Sequence, residues 1–328
     1  VDLNSFLRQR RPGWEALEAL LREVDRVGMR GLSLEQAREL AARYRAASED
    51  LVKARGMTAN AEILEYLNGL VGRAYGHIYA TRGFSWRGLW SFWARGYPRL
   101  VRSEWRVIAL ATGIFLAGAL FGAGAMVVDP DAGAWLLPKD HLKLDPSDRV
   151  AALQQDMADG EALSPDQQAY FSSFLFTHNI QVTFLAFALG LSFGAGTFVV
   201  LFANGLFIGS LAANYHFDGV GTFFYAWILP HGVPELTSIF VAGGAGLILG
   251  RALWNPGRRT RGASLRLHAG RAVKLVLGTA PVLVVAGIIE GTISQLHPPL
   301  LSYGVKLGFA GLMAALLASW LGLAGRRR

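Results

Sequence analysis

Val107 to Val128 runs without a charged side chain. About 20 apolar residues of helix cross the hydrocarbon core of a bilayer, and this run is only the first of several. Comparable runs lie at about 222–250, 272–292 and 303–324, and a longer one spans 180–215. In lipid every backbone polar group must find a partner within the protein, so such a chain folds into helices or a closed barrel. Uninterrupted runs of this length select helices. The fold class expected is all-α: a polytopic helical membrane protein of about six transmembrane crossings, with broken or re-entrant helices.

Charge placement orients the runs. Residues 251–274 carry seven basic and no acidic side chains, and 326–328 are three arginines. Residues 129–172 carry nine acidic and three basic side chains. Basic segments stay on the cytoplasmic side, so 129–172 is expected outside and both termini inside a bacterial cytoplasmic (inner) membrane. Parity then requires 180–215 to cross twice and to turn near Ser192-Phe193-Gly194-Ala195-Gly196-Thr197. A re-entrant pair of half-helices is the alternative there. The net charge of +8 thus reflects membrane topology, and no nucleic-acid partner is expected. The chain has no cysteine, which excludes disulfides, thiolate metal sites and a thiol nucleophile.

Three domains are expected: a cytoplasmic helical bundle at 1–83, an interfacial amphipathic helix at 84–104, and the transmembrane domain at 105–328. In the bundle, Trp14, Leu17, Leu20, Leu21, Val24 and Val27 recur at helical spacing, with Pro12-Gly13 marking a start. Ser33 and Gln36 have the form of a capping box opening a second helix to about Leu51. Ile63, Leu64, Leu67, Leu70 and Val71 give a third its apolar face. In the interfacial helix, Trp86, Leu89, Trp90, Trp93 and Tyr97 form one stripe with Arg87 and Arg95 off it. That arrangement suits the membrane surface; the competing reading is a fourth core helix of the bundle.

His231 and Glu235 lie four residues apart inside the run at 222–250. Ionisable groups at that depth are costly and mark functional sites by default. They read as a proton relay, an ion ligand pair or a substrate contact, or else as a polar pair pinning a broken helix to its neighbours. Pro230, Gly232 and Pro234 are the helix-breaking residues, since proline removes a helical donor. Asn204-Gly205 suggests irregular backbone lining the interior. Glu290, the remaining carboxylate of the spans, sits near the outer end of the fifth crossing and reads first as structural. The glycine pairs 118/122, 190/194, 205/209 and 246/250 allow close helix approach. Asp129-Pro130-Asp131 reads as solvated loop acids and not as a metal site.

No Walker A loop, HExxH or complete GxGxxG occurs, so neither an enzyme nor a bound cofactor or metal is expected. The order Asn179…Phe187-Ala-Leu-Gly190…Phe193-Gly194…Asn204-Gly205…Gly209, then Leu229-Pro230-His231-Gly232…Glu235, Ala245-Gly246-Leu247 and Ile289-Glu290-Gly291 resembles the SpoIIM family of integral membrane proteins. The likeness covers about 100–325. Tyr44-Arg45 and Asp50-Leu51 resemble the cytoplasmic extension of its larger bacterial members. The resemblance implies a membrane scaffold in a cell-envelope complex, linked to peptidoglycan remodelling, with envelope or cytoplasmic proteins as partners and a homodimer as a candidate assembly. The alternative is a transporter or channel for a small solute or ion whose pathway uses His231 and Glu235. An apparent shortage of further charged groups along the spans favours the scaffold.

Overall fold

A computed structural model of the chain describes residues 3–57, 60–79, 85–159 and 165–326, apart from the side chains of 130, 140, 157–158 and 165–176. The described residues contain helices and no strand. They divide into two compact units, 1–88 and 89–328.

The first unit is a bundle of α1 (Leu3–Val27), α2 (Leu34–Met57) and α3 (Ala61–Ile78). Its core joins Phe6, Trp14, Leu17, Leu21 and Val24 to Leu40, Ala47, Leu51, Leu67, Leu70 and Ala74. The capping box forms: Gln36 N–H donates to Ser33 Oγ at 3.1 Å and Ser33 N–H to Gln36 Oε1 at 2.8 Å. Pro12 does not start α1, which begins nine residues earlier. Phe6 and Trp14, in edge contact at 6.1 Å, bury the turns on both sides of Pro12 and hold the helix through it. The second helix runs on to Met57, past the expected end at Leu51.

Asp50 is buried in this bundle, accepting the Trp14 indole N–H at 2.9 Å and lying 3.4 Å from the Arg10 guanidinium. Removing one partner of a buried polar pair leaves the other uncompensated. Asp50→Ala is therefore expected to destabilise the bundle by about 2–3 kcal/mol. The helical melt of an isolated 1–83 fragment measures this, and an unchanged midpoint would refute it.

The segment after residue 85 is less regular than the expected single amphipathic helix. α4 (Trp86–Ser91) passes through a π-turn at Phe92–Gly96 into α5 (Tyr97–Ser103). A π-turn inserts an extra residue per turn, so the aromatic stripe is rotated out of line. Trp86 and Trp90 are exposed, whereas Trp93 and Tyr97 turn onto Trp320, with ring centroids 4.6 and 5.6 Å away. Tyr97 fills a notch over Gly278, where a Cβ would overlap the ring. Trp93 and Tyr97 thus pack within the second unit. Phe84 lies outside the described residues.

The second unit continues with α6 (Trp105–Val128), α7 (Gly133–Leu136), α8 (Pro146–Ala158), α9 (Pro165–Ala188), α10 (Ala195–Phe217), α11 (Gly221–Trp254), α12 (Arg261–Gly291) and α13 (Tyr303–Leu323). Five stretches, at α6, α10, α11, α12 with its following turn, and α13, are long and apolar enough to cross a membrane. Between α9 and α10 the chain reverses at 189–194, with Phe193 and Gly194 at φ 58° and 87°. The turn expected near 192–197 falls at 189–194, since α10 already begins at Ala195, and the helix entering it begins at Pro165, inside the segment read as external.

The glycine pairs pack in two matched sets. A Cβ on Gly118 or Gly122 would run into the carbonyls of Phe202 and Leu206 of α10. One on Gly205 or Gly209 would meet those of Phe115 and Ala119 of α6. Likewise Gly190 lies against the Gly246 carbonyl, and Gly250 against the Gly194 backbone. Residues at spacing four share a helix face, so 118/122, 205/209 and 246/250 each form a flat strip, while 190/194 lie in the reversal between α9 and α10. Asn204-Gly205 lies in regular helix, not in irregular backbone. Asn204 Nδ2 donates to its own helix at Val200 O, 2.8 Å away.

Arg99 and Arg102 of α5 reach the far end of the chain, donating to the carbonyls of Gly325 and of Leu321 and Ala324. They satisfy carbonyls that the end of α13 leaves without donors.

Candidate functional site

α11 is continuous from Gly221 to Trp254 with Pro230 and Pro234 inside it. The expected break at Pro230, Gly232 and Pro234 does not occur. Each proline still removes a donor, from the Ala226 and Pro230 carbonyls respectively. The helix survives because most of this stretch is buried, so its neighbours hold the turn in place. Ser238 and Thr237 donate to the Pro234 and Val233 carbonyls at 3.0 and 2.8 Å.

His231 and Glu235 occupy successive turns of α11 and are both buried. Glu235 Oε2 accepts from Asn179 Nδ2 of α9 at 2.8 Å. His231 Nδ1 meets Ser294 Oγ at 2.8 Å, in the short turn after α12. Glu290, at the end of α12, is 1% exposed and lies four residues before Ser294, the partner of His231. Gln295 Nε2 donates to the Glu290 carbonyl at 3.1 Å. Lys306, one turn into α13, is fully buried and donates to the carbonyls of Ser294 and Leu296, each at 2.9 Å.

Among the described residues, two carboxylate oxygens in this cluster have no partner: Glu235 Oε1 and Glu290 Oε2. His297 Nδ1 is also unpartnered, while its ring stacks on Phe223 at 5.1 Å. Buried acceptors of this kind are rare because each forfeits its hydration.

Helix length locates the cluster. Sixteen residues separate Glu235 from Arg251, and sixteen separate Glu290 from Lys274, about 24 Å in each case. Lys306 precedes Leu323 by seventeen residues, about 26 Å. All three groups therefore sit at one level, toward the end of the unit remote from the basic 251–274 segment. Beyond them the first turns of α11 enter an apolar cluster with residues of 129–159. There Leu137 and Val150 pack with Leu211, Tyr215, Phe223 and Phe224, and Gln154 Nε2 donates to the Tyr303 hydroxyl at 2.7 Å. The acidic segment, where described, is a folded cover. Its Asp129 caps a turn by accepting Asp131 N–H at 3.0 Å. Among the described residues no group of three or more His, Asp or Glu has metal-binding spacing.

The family model for Stage II sporulation protein M (SpoIIM) matches residues 111–295. The chain belongs to the SpoIIM family. A second family model, Domain of unknown function (DUF8413), matches residues 4–80, the helical bundle. No curated protein and no solved structure matches the chain.

In this SpoIIM-family chain the structure unites His231 and Glu235 with Glu290, which the sequence placed at a span end as a structural group. The Asn204 amide instead bonds its own helix at Val200 O. Lys306, Asn179, Ser294, Gln295 and His297 went unrecognised as site residues. Lys306 reverses the expectation that the spans hold no further charged group. Its signal was present as one lysine four residues into the last apolar run, a position that ordinarily reads as a side chain snorkelling to the interface.

Proposed function

We propose that this SpoIIM-family protein is a non-enzymatic protein of the bacterial inner membrane that passes a small ion or solute along the Asn179, His231, Glu235, Glu290 and Lys306 cluster. The observation carrying this reading is the pair of unpartnered, buried carboxylate oxygens on Glu235 and Glu290. A structural polar pair would be selected for satisfied bonds, whereas transport sites keep ligand positions open. The shortage of charged groups that favoured a scaffold no longer applies, because Lys306 is buried in the same cluster.

The envelope scaffold is the second reading. It is supported by the separate bundle, which has its own core and its own family match and so offers a cytoplasmic partner surface. Reconstituted protein tests the choice. Glu235→Gln keeps shape and removes charge, and the transport reading expects flux to fall at least about tenfold with the fold retained. No flux from wild-type liposomes, with Gln tolerated, would move the conclusion to the scaffold.

Six crossings with both termini cytoplasmic complete the proposal, with α9, 24 residues long, as the sixth. Single cysteines in this Cys-free chain test it. A residue at 150 is expected to label from outside in intact cells and one at 262 only after permeabilisation; the reverse pattern would invert the topology.

A further inference from the structure

Asn179, Glu235 and Glu290 converge from three helices, α9, α11 and α12. Glu235 is 5% and Glu290 1% exposed, and each keeps one oxygen without a partner. His231, one turn before Glu235, meets Ser294, four residues past Glu290, at 2.8 Å, so the two carboxylates lie on adjoining stretches of α11 and α12 and belong to one site. Glu235 is held in place from its other oxygen by the Asn179 amide, which leaves Oε1 free to take a ligand. Lys306 does not occupy this position. Its ammonium donates to the Ser294 and Leu296 carbonyls, and among the described residues it forms no ion pair with either carboxylate.

Two like charges sealed in a low-dielectric interior repel strongly, and neither has an ion-paired cation. The buried patch is also short of one positive charge: two carboxylates face one ammonium, and the histidines are neutral in this count. We propose that Glu235 and Glu290 together bind one monovalent alkali cation through their unpartnered oxygens. The inference rests on reading this cluster as the functional site, and it names the class of ion such a site would take.

The chemistry favours a singly charged, hard cation. Carboxylate and amide oxygens suit alkali and alkaline-earth ions, not soft metals. The charge count closes to zero with one positive charge and overshoots with two. Asn179, whose amide nitrogen is engaged by Glu235, brings its Oδ1 into the same neighbourhood as a further oxygen to supplement the carboxylates.

Purified full-length protein in detergent tests binding apart from flux. Its unfolding midpoint is followed while NaCl, KCl or LiCl replaces N-methylglucamine chloride at constant ionic strength and pH. A saturable rise of the midpoint with at least one alkali ion is expected, because a ligand that binds only the folded state stabilises it. In Glu290→Gln and Glu235→Gln the apparent affinity is expected to weaken at least about tenfold. A wild-type midpoint indifferent to all three ions overturns the proposal, and a proton then supplies the missing charge. An alkali response that persists unchanged in both Gln variants also overturns it. If either variant fails to fold, isothermal titration of wild-type protein with NaCl decides alone, and absence of binding is the negative result. Flux that survives without alkali binding would leave transport standing and remove only this ion.

Discussion

Gly122→Val should leave a membrane unit that no longer holds its helices together, while Gly124→Val in the same helix should be close to neutral. The two glycines are two positions apart on α6, and only one faces a partner. At Gly122 a Cβ would overlap the Leu206 carbonyl and crowd Ser210 Oγ, whereas at Gly124 nothing lies within 4 Å. A backbone carbonyl inside a helix cannot swing aside as a side chain can, so all of α10 has to move. Overpacking a core costs about 1–3 kcal/mol and occasionally more. The valine at 122 belongs at the top of that range, because α10 meets Gly118 by the same close approach. Thermal unfolding in detergent, read alongside monodispersity, gives the comparison. Equal midpoints for the two variants would mean that the α6–α10 strip is not what holds the pair.

The glycine spacing was legible as close packing but not as pairing. Period-four glycines say that a helix has a flat face; they do not say which helix meets it. The pairing of 118/122 with 205/209, and of 190/194 with 246/250, depends on where each helix sits in three dimensions. A reversal close to 192–197 was legible because charge parity demanded a turn and the run there is rich in small residues, although it falls at 189–194. The prolines misled because a missing N–H is visible in sequence, while the packing that keeps α11 continuous is not. Family membership and the all-helical membrane class followed from long ordered patterns. Lys306 stayed hidden because an isolated lysine near a span end looks the same whether it snorkels or is buried. Its partners, the Ser294 and Leu296 carbonyls, are backbone groups that carry no side-chain signature at all.

Lys306→Met is expected to destabilise the membrane unit by about 2–4 kcal/mol, although methionine is similar in length and better suited to an apolar surrounding. The loss comes from two buried carbonyls, Ser294 and Leu296, that each lose a charge-assisted donor at 2.9 Å. Those carbonyls shape the turn that presents Ser294 Oγ to His231, so the effect should extend to the α11 side of the cluster. Lys274→Met is the control: Lys274 is exposed on α12, and its replacement should stay within about 0.5 kcal/mol. A double variant adds information about charge. If Lys306 balances the carboxylates, Glu290→Gln should offset part of the Lys306→Met loss, giving a coupling of about 0.5–3 kcal/mol. Strict additivity would confine Lys306 to holding the turn. A Lys306→Met midpoint equal to that of Lys274→Met would sink both roles, because it would mean that the buried ammonium contributes nothing that a thioether of the same reach cannot.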